Sequence, residues 1–162
     1  MSAEPIVRPS ARVILIGPGR RTLLFRGGDP HRPRDGTWWF TPGGGVDPGE
    51  TPEEAAHREL WEETGQSDVE WAGLVATREA TFGFLGAIYH SQEVFYVAHT
   101  RRVAVHPANL SAIEEEAVEE HRWLDSTDIA HLAEPVYPAE LAAVLPGLAA
   151  RRYPAEPWVW SE

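Results

Sequence analysis

Glu59, Glu62 and Glu63 stand three and four residues apart in the stretch GGVDPGETPEEAAHRELWEETGQ (44–66), the densest run of regularly spaced charge in the chain. The residues before them spell a helix start: Thr51 can cap, Pro52 suits the first helical position, and Glu54 completes a capping box. Gly65 is a natural stop. On a helix the three glutamates fall within an arc of roughly 100°, so their carboxylates share one face. Like charges at this spacing repel, and the last helical turn adds partial negative charge of its own. Arg58 brings one positive charge against three, so an oxygen-lined site for a hard divalent cation, Mg²⁺ or Mn²⁺, is the chemistry these residues can do. A solvated acidic face is the other reading of the same helix.

The surrounding pattern separates the two. Gly44, Glu50, Arg58-Glu59-Leu60, Glu62-Glu63 and Gly65, at these intervals, resemble the Nudix box, the signature of the Nudix hydrolases. Seven such fixed Gly, Glu and Arg matches would arise by chance at roughly 10⁻⁸ per register. One position departs: the family pattern ends in an aliphatic residue, where this chain has Gln66, and looser packing behind the helix end is expected.

The resemblance implies a Nudix fold of the α/β (α+β) class, a mixed β-sheet sandwiched between helices. It implies a metal shell of Glu59, Glu62 and Glu63 with the Gly44 carbonyl, Arg58 orienting Glu59, and Glu50 as an outer or direct metal partner. A further acid from the stretch before Trp123 is expected, with Glu116 and Glu120 as candidates. The implied activity is Mg²⁺-dependent hydrolysis of a diphosphate bond in a nucleoside diphosphate linked to another group: a nucleoside triphosphate, nucleotide sugar or ADP-ribose type. The proton acceptor would be one of these glutamates. A catalytically silent nucleotide sensor is the alternative, although all the box glutamates are present.

The elements that must position these groups can be read around the helix. Residues 11–17 and 21–27 form β-rich runs divided by Pro18-Gly19, a hairpin pattern, and the first six or so residues are expected to be loose. Residues 28–36 are a basic loop, in or beside which Arg26, Arg32 and Arg34 are candidate diphosphate contacts. A strand from Gly36 to Thr41 then feeds the glycine run. Trp38 and Trp39 point to opposite faces of that strand, so at most one of them, Trp39 being the candidate, lines the pocket. Residues 69–77, 80–89 and 92–100 read as three strands, with Phe82, Phe84 and Tyr89 able to stack on a base or to serve the core. Residues 112–132 are expected to give an acidic loop, a strand from His121 to Leu124 and a helix capped near Ser126. A short helix interrupted at Pro146-Gly147 follows, then an edge strand or docking tail bearing Trp158 and Trp160.

With 162 residues and 43% hydrophobic content, one domain over 1–162 is expected, its core about 10–135 and a helical extension about 136–162. Cysteine is absent, which excludes disulfides, thiolate catalysis and Cys-type zinc sites and fits a reducing cytoplasm. A diphosphate isomerase built on the same fold would be expected to need that missing thiol. The net charge of −11, with no lysine, argues against tracking a polymeric nucleic acid, and no apolar run reaches membrane-spanning length. The expected partner is a small anionic molecule, with a homodimer open; none of the seven histidines has metal-ligand spacing.

Overall fold

The computed structural model of the chain describes residues 4–161, apart from the side chains at positions 112, 113 and 116. Strands β1 (Ile6–Gly17) and β2 (Arg21–Gly27) are joined by a tight turn at Pro18–Arg20, where Gly19 takes the left-handed φ of 74°. They pair only beside the turn, Ile16 opposite Thr22 and Gly17 opposite Arg21. Beyond it the strands part. The freed edge of β1 takes β4 (Gly43–Gly45), and β2 takes β7 (Val118–Leu124) and β3 (Trp38–Phe40).

On its other edge β1 runs parallel to β6 (Ala87–His99), from Ile6 opposite Tyr89 to Ile16 opposite His99. That long ladder takes in Ile6, the last of the residues expected to be loose, whereas positions 1–3 lie outside the described residues. β5 (Glu70–Phe84) is antiparallel to β6, and β9 (Trp158–Trp160) and β8 (Val136–Tyr137) add parallel edges to β5 and β3. The sheet is therefore mixed, as expected.

Helices cover both of its faces, which is why β1 reads as a continuous apolar run instead of an alternating one. Ala11, Val13 and Leu15 pack with Ala55, Ala56 and Leu60 of α1 (Pro52–Thr64). Ile14 and Ile16 pack on the opposite side with Leu141, Leu145 and Leu148 of α4 (Leu141–Ala149). Each such buried valine, leucine or isoleucine contributes about 1.5–3 kcal/mol of transfer free energy. The shorter helices α2 (Ala112–Ala117) and α3 (Ser126–Ala130) flank β7. No helix among the described residues is long and apolar enough to cross a membrane.

Four local expectations change. The expected runs 69–77 and 80–89 are divided elsewhere: β5 passes unbroken from Glu70 to Phe84, because Arg78 and Glu79 contain no turn former and Arg78 is held by a 2.8 Å ion pair to Glu93, and the turn falls at Leu85-Gly86, so that residues 87–89 open β6. The acidic stretch after Ser111 is helical, since Ser111 and Glu114 make a second capping box. α4 continues through Pro146 and Gly147. Proline cannot donate to the carbonyl four residues back, and that Ala142 carbonyl instead accepts the Ser126 hydroxyl of α3. Gln66, finally, does not loosen the end of α1: it is 3% exposed and its amide is hydrogen-bonded on both sides.

Candidate active site

The helix that carries the glutamates is fixed at both ends. Thr51 Oγ1 accepts from the Glu54 amide and Glu54 Oε1 accepts from the Thr51 amide, each at 3.1 Å. At the other end Gly65 adopts φ 74° and donates to the Trp61 carbonyl. Burial of Ala55, Ala56 and Leu60 then sets the rotation of α1, and this turns Glu59 and Glu63 against the glycine strand β4. The approach is close enough to demand glycine: a Cβ on Gly44 would lie 2.6 Å from Glu59 Oε1. Glu63 Oε2 accepts the Gly43 amide at 3.1 Å.

Arg58 organises the outer rim. Its Nε and Nη2 form a fork on Glu50 at 2.8 and 3.0 Å, Nη2 also reaches the Gly45 carbonyl at 2.9 Å, and Nη1 contacts Glu59 at 3.0 Å and Glu62 at 3.1 Å. Charge-assisted bonds of this kind hold a carboxylate's orientation. With Arg58 and the Asp47 amide as donors, Glu50 is drawn down to a pKa of about 2, and Arg58 is raised in turn, chiefly by Glu50.

Glu59 and Glu63 behave oppositely. Desolvation by burial raises both, and for Glu63 the neighbouring Glu59 charge adds to the rise, while Arg12 opposes it. Arg12 donates to the carbonyls of Thr41 and Gly43 and so sits behind the glycine strand. The third carboxylate of the cluster comes from α2: Glu59, Glu63 and Glu114 each offer an oxygen within 4.8 Å of the others. The donor set is all oxygen, buried at Glu59 and Glu63 and half-buried at Glu114, and short of counter-charge. A hard divalent cation fits those terms.

The sequence candidates are distributed unevenly about this cluster. Glu62 is directed to Arg58 and is not a member of the three-carboxylate group. Its carbonyl instead accepts the amides of Ala108 and Asn109. Glu120 lies on β7, its carboxylate 2.9 Å from Arg26 Nε and 3.1 Å from Arg122, away from the group. The side chain of Glu116 lies outside the described residues. Glu114 is not among the sequence candidates: the Ser-x-x-Glu pattern at Ser111 marks the start of its helix, as the same pattern does at Thr51, but not its approach to Glu59 and Glu63.

Arg26 is hemmed in by Glu119, Glu120 and Glu134, and Arg32 by Asp35, whereas Arg34 makes no ion pair among the described residues. Trp39 is a core residue, 1% exposed, with its indole N–H directed to Glu134. It therefore offers no open face to a ligand. Phe82 is exposed on β5, 6.0 Å from Tyr89, and Arg8 lies over the Tyr89 ring.

Comparison with known proteins follows the same outline. The family model for the NUDIX domain matches residues 7–145. An RNA pyrophosphohydrolase of Cereibacter sphaeroides is 48% identical over 58 residues, which is 36% of this chain and 33% of that protein. The matched stretch thus spans about a third of the curated relative's length. A MutT protein from Methanosarcina mazei superposes with a TM-score of 0.64 at 20% identity, over 93% of this chain and 97% of its own. An Ap4A hydrolase of C. elegans does so with 0.58 at 19%, over 89% and 96%. At those identities the two structures speak for the fold, and it is the family match over residues 7–145 that decides: the chain belongs to the Nudix hydrolase family.

Proposed function

We propose that the chain hydrolyses the diphosphate bond of a nucleoside diphosphate linked to another group, with Mg²⁺, or Mn²⁺, held by Glu59, Glu63 and Glu114. The Gly44 backbone, lying against Glu59, completes the shell. The observation that carries this reading is the buried Glu59–Glu63 pair closed by Glu114 within 4.8 Å, like charges whose gathering a cation would offset. When bound, the cation supplies charge neutralisation for the diphosphate oxygens and acidifies a water.

The chain's own residues do the rest. Arg58 locks Glu59 and Glu62 in place and balances the rim, while Glu50, held ionised, locks Arg58 in its turn. Of the cluster's carboxylates, Glu63, raised by burial and by the neighbouring Glu59 charge, is the candidate to take the proton of the attacking water. Arg34, in the basic loop and without an ion pair among the described residues, and Phe82 on the exposed part of β5 are the contacts proposed for phosphate and base.

A substrate small enough to present only its phosphates suits a surface with net charge −11. A 5′-triphosphorylated RNA end meets that condition as well as a mononucleotide does, and the RNA pyrophosphohydrolase relatives bring it into the panel. The test is product release from nucleoside triphosphates, nucleotide sugars, ADP-ribose, dinucleoside polyphosphates and 5′-triphosphorylated RNA, with Mg²⁺ and then with chelator. Turnover of at least one compound, abolished by chelator and by Glu63→Gln with the circular dichroism unchanged, is the expected result. Tight nucleotide binding without turnover of any would support a silent sensor instead.

A further inference from the structure

The one residue that breaks the box pattern, Gln66, is bound to a segment that leads to Glu114. From Thr100 to Ser111 the chain forms neither helix nor strand, so its backbone polar groups need partners from elsewhere. Those partners lie at the end of α1. Gln66 Nε2 donates to the carbonyls of Arg102 at 2.9 Å and Ala104 at 3.3 Å, and Gln66 Oε1 accepts from the Thr100 hydroxyl at 2.7 Å. The Thr64 carbonyl then takes the His106 amide, and the Glu62 carbonyl takes those of Ala108 and Asn109. Two residues later Ser111 caps α2 and Glu114 enters the cluster.

The contacts at 66, 64 and 62 act as successive rungs, and Gln66 is the rung made by a side chain. An aliphatic residue in its place would take the glutamine amide away from two carbonyls and a hydroxyl in a partly buried setting, leaving the segment free to shift. We propose that Gln66 is a positioning residue: by fixing residues 100–104 on the end of α1 it sets Glu114 against Glu59 and Glu63. This rests on the reading that those carboxylates hold a divalent cation.

The experiment compares wild type, Gln66→Met, Glu114→Gln and the double variant by calorimetric Mn²⁺ titration without nucleotide, with amide exchange measured on the metal-free proteins. Methionine keeps the reach of glutamine and removes its hydrogen bonds. Gln66→Met is expected to weaken Mn²⁺ binding roughly 10-fold, the size found for groups that orient ligands. It should also speed exchange at His106 and Ala108. Because Gln66 acts through Glu114, the double variant should bind no more weakly than Glu114→Gln alone.

An unchanged Mn²⁺ dissociation constant in Gln66→Met, even with a lowered melting temperature, would overturn the proposal, and so would additive losses in the double variant. Should Gln66→Met not fold, Thr100→Val keeps the side chain's shape and removes the hydroxyl that links Oε1 to the Arg102 amide. A weakening of Mn²⁺ binding there supports the proposal and none overturns it. Wild type that binds no Mn²⁺ at all would sink the metal reading itself, a result distinct from binding that ignores position 66.

Discussion

Arg58 joins Glu50, Glu59, Glu62 and the Gly45 carbonyl through three nitrogens, so its planar fork is used at every corner. Lysine would keep the charge and lose most of that geometry. Arg58→Lys should therefore lower kcat/KM by about 10- to 100-fold while steady-state spectroscopy reports an intact fold. The Glu59–Glu63 pair gives a stability prediction of unusual sign. Both carboxyls lie above their ordinary 4.5 in the folded state, so the native protein binds more protons than the unfolded chain, and stability falls as pH rises above that value. Glu50, drawn down to about 2, contributes the other way: its share is present above 4.5 and is lost as pH falls toward 2. Thermal melts of the metal-free protein should accordingly show a decline from mildly acidic to neutral pH. Glu63→Gln should flatten that decline and raise the neutral-pH melting temperature by about 2–4 °C, on the order of 1 kcal/mol for a chain of this length. A melting temperature that rises with pH in wild type would refute the assigned burial of charge. Arg58 and the buried glutamates were legible from spacing because their neighbours are on the same helix. Glu114 was not, since it reaches Glu63 through a fold-back of the chain that no local pattern encodes.

At the scale of elements, the end of α1 is closely constrained. Gly65 has φ 74°, and a Cβ there would collide with the His106 carbonyl of the segment that leads to α2. Gly49 has a comparable φ of 81° and open space around it. Gly49→Ala should thus cost only the left-handed penalty of about 1–2 kcal/mol, and Gly65→Ala distinctly more, when both are measured by urea unfolding. Equal losses would mean that the contact with His106 contributes nothing. The capped helix α1 and the β1–β2 turn were readable because their signals are local: Thr51, Pro52, Glu54 and Gly65 for one, Pro18 and Gly19 for the other. The union of two expected strands in β5 and the passage of α4 through Pro146 were not readable. In each case the deciding partner, Glu93 or Ser126, comes from another element.

Across the whole molecule, the two faces of one mixed sheet carry different duties. The face under α1 supports the carboxylate cluster, and the face under α4 holds the larger apolar core. The last strand belongs to that core although it lies beyond the family match: Trp160 is buried against Phe95 with ring centroids 5.1 Å apart, while Val159 between the tryptophans is 85% exposed. Trp160→Ala should then cost about 3–5 kcal/mol and Val159→Ala almost nothing, by the same unfolding measurement. The mixed sheet between helices was foreseeable from the box resemblance and an edge strand from the alternation of Trp158 and Trp160, but its partner, Ala76 to Arg78 on β5, was not. The most direct test of the central claim is anomalous diffraction from crystals of the protein soaked in Mn²⁺. A peak bounded by the carboxylates of Glu59, Glu63 and Glu114, and missing from Glu63→Gln crystals, is predicted; Mn²⁺ bound elsewhere, with that trio left as mutually hydrogen-bonded acids, would contradict it.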